Sequence, residues 1–181
     1  MQYSFTSLLP DQRVPCDLER MRRLSVFPDI EPSVASREGQ RLGLAGELYL
    51  RAELTALGFD VAALPVQSAA DLGLVLGDRL VRIQVKTVLR PRGGYYYASF
   101  RRGYRGSATG TYDYDLGDFD IGAVVMLRHK AIAFTVAGQR SCRIPVTRMP
   151  ELQRRKVERL YEALCSIGAL EPGEIDAILA G

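Results

Sequence analysis

Apolar positions recur along this chain with a period that changes from segment to segment. Up to Ala35 there is no clear period: Pro10, Pro15, Pro28 and Pro32 alternate with the cluster Arg20, Arg22 and Arg23, and only a short helix over 17–24 is predicted. Then Ser36 offers an N-cap, a helical pattern runs over 37–57, and Gly58 supplies its stop. Residues 59–64 read as a short strand. Between Asp71 and Val88 two apolar runs are split by Gly77-Asp78, the mark of a hairpin. Gly93-Gly94 precedes a third strand over 95–100, and a Gly/Arg/Ser/Thr-rich loop follows from Arg101 to Thr111. The wholly apolar run 121–127 predicts a buried strand, returned through Arg128-His129-Lys130 to a strand over 131–136.

An extended piece around 143–146 is followed by Leu152, Val157, Leu160, Tyr161 and Leu164 at helical spacing, then by Gly168 and a tail helix opening at Pro172. One long helix, a run of strands and closing helices predict an α/β fold, a central mixed sheet flanked by helices. At 181 residues there is room for one core with terminal additions. The expected layout is an extension over 1–35, a core over 36–147 and a helical segment over 148–181.

A hydrophobic fraction of 47% and a charged fraction of 25% are ordinary for a globular protein. No apolar run approaches the ~20 residues that cross a bilayer, and Met1 to Pro10 lacks the layout of a secretion signal, so a cytoplasmic protein without a membrane partner is expected. Cys16, Cys142 and Cys165 are far apart and His129 is the single histidine, which argues against a zinc site, a disulfide scaffold and a histidine-based triad. The net charge of +3 permits an anionic partner. Lysine occurs only at 86, 130 and 156, so the positive charge is mostly arginine, whose planar fork suits phosphate; genome composition explains such usage equally well.

Candidate chemistry lies in the hairpin and the first long helix. With Gly77-Asp78 as the turn, Leu74 faces Val81, Leu72 faces Ile83 and Asp71 faces Gln84. Leu72, Leu74, Val81, Ile83 and Val85 then form an apolar layer, while Asp71, Gly73, Arg82, Gln84 and Lys86 share the other face. A half-exposed strand wetting its polar side chains accounts for this hairpin too. At ~100° per residue, Glu47 shares the apolar arc of its helix with Gly43, Leu50, Leu54 and Leu57, and a carboxylate on a packing stripe requires a partner. A buried arginine would also serve. Gly43 and Gly46 would allow a backbone or a phosphate to come close.

Four strings, Gly43 to Leu50, Gly58 to Val61, Ala70 to Val75 and Ile83 to Thr87, resemble the PD-(D/E)XK endonucleases, especially the subgroup associated with group I introns. The likeness continues through Gly94-Tyr95-Tyr96-Tyr97 and Asp118 to Val125, covering about 36–136. It implies a restriction-endonuclease-like core in which Asp71 is a metal carboxylate, Gln84 stands at the second acidic ligand's place, Lys86 is the motif lysine and Glu47 completes the site from its helix. Ala70 replaces the motif's proline and Gln84 its Asp or Glu; an amide oxygen ligates a hard cation without adding charge.

The resemblance further implies Mg2+, with Mn2+ as substitute, held by Asp71, Gln84, the Val85 carbonyl and Glu47 through water, and products ending in 5′-phosphate and 3′-hydroxyl. Double-stranded DNA is the expected partner. Arg101, Arg102, Tyr104 and Arg105 are candidate DNA contacts, although a solvated loop carries such charge as readily. Cutting both strands favours a homo-oligomer, dimer or tetramer. The apolar C-terminal helix is either its surface or a cover for its own sheet. Three functions stay open: a homing or restriction-like endonuclease, a structure-specific nuclease such as a Holliday-junction resolvase, and a non-catalytic DNA-binding module.

Overall fold

The computed structural model describes residues 18–103 and 110–174. The chain divides into two compact units, 1–38 and 39–181. In the first, α1 (Leu18–Leu24) is followed by α2 (Pro32–Arg37), whose opening proline lacks only an N–H that no helical turn would use. Arg20 Nε donates to Glu38 Oε1 at 3.0 Å. Ser36 therefore lies inside a helix instead of capping one. The helix expected over 37–57 begins only at Gly39, because Glu38 leaves helical geometry at φ −95° and ψ 17° and the glycine after it is a poor helix propagator.

The second unit opens with α3 (Gly39–Ala56), which closes as expected on Gly58: φ is +87° there, and the amides of Gly58 and Phe59 return to the carbonyls of Thr55 and Leu54. Then come β1 (Asp60–Ala63), β2 (Leu72–Leu76), β3 (Arg79–Thr87), β4 (Tyr95–Ser99), β5 (Arg101–Gly103), β6 (Thr111–Asp113), β7 (Ile121–Met126), β8 (Ala131–Val136) and β9 (Ser141–Pro145). A five-stranded sheet runs in the order β1-β2-β3-β7-β8. All its pairs are antiparallel except β3 with β7, which makes the sheet mixed. The hairpin register is the one dictated by its turn, with Leu72 opposite Ile83, Leu74 opposite Val81 and Gly77 at φ +57°. Between β7 and β8 the chain makes a 3-10 turn over Leu127–His129, and Lys130 takes the left-handed conformation at φ 49°.

Both faces of the sheet are covered, which is why β7 is apolar at every position. On one face Leu72, Val81, Ile83, Val85, Ala123 and Val125 pack with Leu50 and Leu54 of α3 and with Leu160, Tyr161 and Leu164 of α5 (Lys156–Ser166). On the other, Val124, Met126, Ala131 and Ala133 meet Tyr96, Ala98 and Ile144 of the separate β4–β9 ribbon and Met149 and Leu152 of α4 (Met149–Arg154). Of the two readings of the C-terminal helix, the structure takes the second: its apolar face lies against its own sheet. The loop expected from Arg101 is at first a strand, since β5 pairs with β6.

The seat of α3 on β3 depends on one small residue. At Gly46 a Cβ would overlap the side chain of Thr87, whose Oγ1 donates to the Gly43 carbonyl at 3.3 Å. Gly43, in contrast, has nothing within 4 Å of its would-be Cβ. Gly46→Ala should lower stability by about 2 kcal/mol, because helix or strand must shift. Gly43→Ala should raise it by roughly 0.5–1 kcal/mol through helix propensity. Urea unfolding of the two variants checks the pair; equal effects would mean that the close approach is not constrained.

Candidate active site

Asp71 immediately precedes β2, and its main chain already joins the sheet by donating to the Ile83 carbonyl at 3.0 Å. Its side chain turns back to the same strand. Asp71 Oδ2 accepts from the Val85 amide at 2.7 Å and from Gln84 Nε2 at 2.7 Å, and Gln84 Nε2 also donates to the Val85 carbonyl at 3.2 Å. Oδ1 accepts no hydrogen bond from the described residues. Gln84 is only 4% exposed, and among the described residues it is the one polar side chain counted in the core. A buried amide needs such partners, since each donor left without one would cost about 1–3 kcal/mol.

Around this knot stand two half-buried charges. Burial pushes the Asp71 carboxyl above its ordinary value, with the Val85 amide and Lys86 pulling the other way. Glu47, reaching in from α3, is likewise raised, first by burial and then by the Asp71 charge, while Lys86 lowers it. Lys86 is pulled below its ordinary value by burial, against the attraction of both carboxylates. Glu47, Asp71 and Lys86 thus share one electrostatic field, and Gln84 is bonded to its central member. The structure brings these four together.

Lys86 Nζ donates to the Arg101 carbonyl at 3.4 Å and lies 5.5 Å from the centre of the Tyr114 ring. The Arg102 guanidinium lies over the same ring at 5.6 Å, and Phe119 supports it edge-on at 5.2 Å. Burial, then the Asp71 charge, pushes the Tyr114 hydroxyl up to about 12, so it stays a neutral donor. Tyr114 was missed by sequence reasoning because it lies beyond β6 in a segment without period. The alternation Tyr112-Asp113-Tyr114-Asp115 was the only signal.

Of the four residues expected on the DNA-contacting loop, Arg102 joins the site through Tyr114, and Arg101 is paired with Asp113 at 2.9 Å. Tyr104 and Arg105 lie outside the described residues. His129 stands edge-on to Tyr96 at 5.8 Å, away from this cluster.

Among the described residues, no three His, Cys, Asp or Glu side chains gather as a metal centre. The donors available here are two carboxylates, the Gln84 amide and the Val85 carbonyl, an all-oxygen set that suits a hard cation. The set fits one: burial pushes both carboxylates toward protonation although Lys86 pulls the other way, and a bound cation would favour their ionised forms. The Gln84 amino group bridges Asp71 Oδ2 and the Val85 oxygen, two of these donors, at 2.7 and 3.2 Å.

The solved structure of a bacterial homing endonuclease resembles this chain with a TM-score of 0.51 and 16% identity, over 58% of this chain and 76% of that one. The class defined by the fold is therefore an endonuclease-like mixed α/β domain. No family model and no curated protein matches the chain. Among the described residues no helix is long and apolar enough to cross a membrane.

Because folding raises the Asp71 pKa, its contribution to stability is full below the ordinary aspartate range and falls as pH rises through the folded value. Asp71→Asn keeps an oxygen for the Val85 amide but carries no charge. Its melting temperature in EDTA should match the wild type near pH 3.5 and exceed it increasingly toward pH 7. Thermal melts across this range test the desolvated carboxylate. A variant less stable than wild type at pH 7 would mean that the ionised form is the better accommodated one.

Proposed function

We propose that the protein is a metal-dependent DNA endonuclease, homing or restriction-like, that hydrolyses phosphodiester bonds at Glu47, Asp71, Gln84, Val85 and Lys86. One observation carries the reading: two carboxylates raised by burial, a lysine lowered by burial and a buried amide converge at one end of a strand pair in an endonuclease-like fold. Perturbed groups of opposite sign in one place are the usual mark of chemistry. DNA as substrate is supported by the neighbour's being a homing endonuclease and by the arginines beside the site.

Mg2+, with Mn2+ as substitute, would be held by Asp71, the Val85 carbonyl, Glu47 through water and Gln84, whose amide would have to turn its oxygen to where Nε2 now donates, and when bound would supply Lewis-acid polarisation of a phosphate and acidification of water. The protein's own groups do the rest. The Val85 amide fixes the Asp71 carboxylate, so its orientation is set before the reaction. Glu47 is carried on a helix locked to β3 through Gly46 and Thr87. Lys86, with its ammonium made more acidic by burial, exchanges a proton nearer neutral pH than a surface lysine and offsets charge developing on the phosphate. Tyr114 and the Arg101 carbonyl hold that ammonium in place.

Purified protein should nick or linearise plasmid DNA with Mg2+ or Mn2+ and not with EDTA; four-way junctions run alongside intact duplex distinguish a resolvase. Asp71→Ala should lose cleavage by roughly a hundredfold or more together with stabilisation by Mg2+, whereas Lys86→Ala should lose cleavage and keep that stabilisation. Gln84→Glu places a third carboxyl against Asp71. It should melt well below wild type in EDTA, recover with Mg2+ and retain some cleavage. Full activity of Asp71→Ala would end the nuclease assignment.

A further inference from the structure

The β4–β9 ribbon has two unlike faces. Tyr96, Ala98 and Ile144 point into the core, while Tyr95, Tyr97 and Ser99 alternate with them outward, and Ser141 and Arg143 of β9 join that outer face in register opposite Ser99 and Tyr97. A ribbon whose only task was to cover the sheet would carry scattered polar side chains there. This one carries a stack. The Arg143 guanidinium lies 3.6 Å from the centre of the Tyr95 ring and 5.8 Å from that of Tyr97, the two rings are 6.3 Å apart, and Tyr97 is 51% exposed.

Stacking on a ring uses the face of a guanidinium and leaves its N–H groups, which lie in its plane, free to donate. Arg143 has no ion pair or hydrogen bond to a described residue. The surroundings are one-sided in charge, since residues 88–103 and 137–148 contain seven arginines and no Asp or Glu. Arg101 and Arg140 share the single carboxylate of Asp113, at 2.9 and 3.3 Å, and Arg148 is paired with Glu151. Arg90, Arg92, Arg102 and Arg143 meet no acidic side chain among the described residues.

The geometry points to the outer face of this ribbon as a DNA-docking surface, in which Arg143, seated on the Tyr95 ring with Tyr97 beside it, donates to the duplex while the site at Lys86 engages the scissile phosphate. The inference rests on the nuclease reading. A two-stranded ribbon matches the width of the major groove, about 12 Å. A fork-shaped donor seated on a ring suits either a phosphate or the O6/N7 edge of guanine. The ribbon is continuous with the proposed site, because the chain passes from Ser99 of β4 through Phe100 to Arg101, whose carbonyl receives Lys86.

The test is equilibrium binding of the full chain to a fluorescein-labelled mixed-sequence duplex, by anisotropy over a range of KCl, in Ca2+ with EDTA alongside. Arg143→Ala should weaken binding roughly tenfold and lower the salt slope by about one if the donor meets a phosphate. With a guanine contact, the loss should instead depend on duplex sequence while the slope holds. Tyr97→Phe should bind as wild type and Tyr97→Ser should not. Wild-type affinity and slope in both Arg143→Ala and Tyr97→Ser would overturn the docking surface while leaving the nuclease reading standing, and so would a protein partner whose binding these variants abolish without touching DNA affinity. Wild-type protein that binds no DNA at any salt would overturn both.

Discussion

A polar side chain on a covered face of an internal strand has no water to satisfy it, and Gln84 is in that position on β3, which has β2 on one side and β7 on the other. Gln84 could not remain there without acceptors, and it finds them in Asp71 and in the carbonyl of its own neighbour. Asp71 in turn is fixed by the Val85 amide, which at the end of the shorter β2 has no ladder partner on that side. The site is thus built where one strand ends and its neighbour continues. A backbone donor that the sheet cannot use orients a carboxylate that the sheet cannot solvate.

Much of this was legible in the residues because it depends on short-range geometry. Gly77-Asp78 fixes the hairpin register, and the register alone puts Asp71 beside Gln84 and separates the apolar layer from the polar one. The helical wheel of α3 brings Glu47 toward the sheet, and of the two glycines read as allowing close approach it is Gly46 whose missing Cβ is required, while Gly43 meets Thr87 through its carbonyl. Illegible were the features that depend on distant segments. Nothing local distinguishes the outward Tyr97 from the buried Tyr96 until β9 is known to pair with β4, and the Tyr/Asp alternation around Tyr114 does not say that its ring lies under Lys86. The break at Glu38 was missed because Ser36 is as good a helix residue near a C-terminus as it is a cap near an N-terminus.

Charge compensation around the site is deliberately incomplete in one direction. Ion pairs elsewhere are closed within short range: Arg82 with Asp120 at 3.1 Å, Lys156 with Glu53 at 2.8 Å, and Glu151 between Arg148 and Arg159, with its carboxyl held down at about 2. Glu47 and Asp71 instead have one shared lysine between them, itself weakened by burial. Two acids raised and one base lowered is the pattern that burial imposes on charges that are not closely paired.

The single parallel pairing has a consequence in time. Asp71, Gln84 and Val85 lie within one hairpin, so their contacts close a loop of about a dozen residues and can form on the timescale of hairpins, roughly microseconds. Lys86 receives its ring and its carbonyl acceptor from the long connection between β3 and β7, which carries β4 and the β5–β6 pair. That closure is long-range and slow. Asp71, Gln84 and Lys86 are therefore carried by the hairpin alone, whereas the ring and the carbonyl that hold the Lys86 ammonium depend on the longer closure.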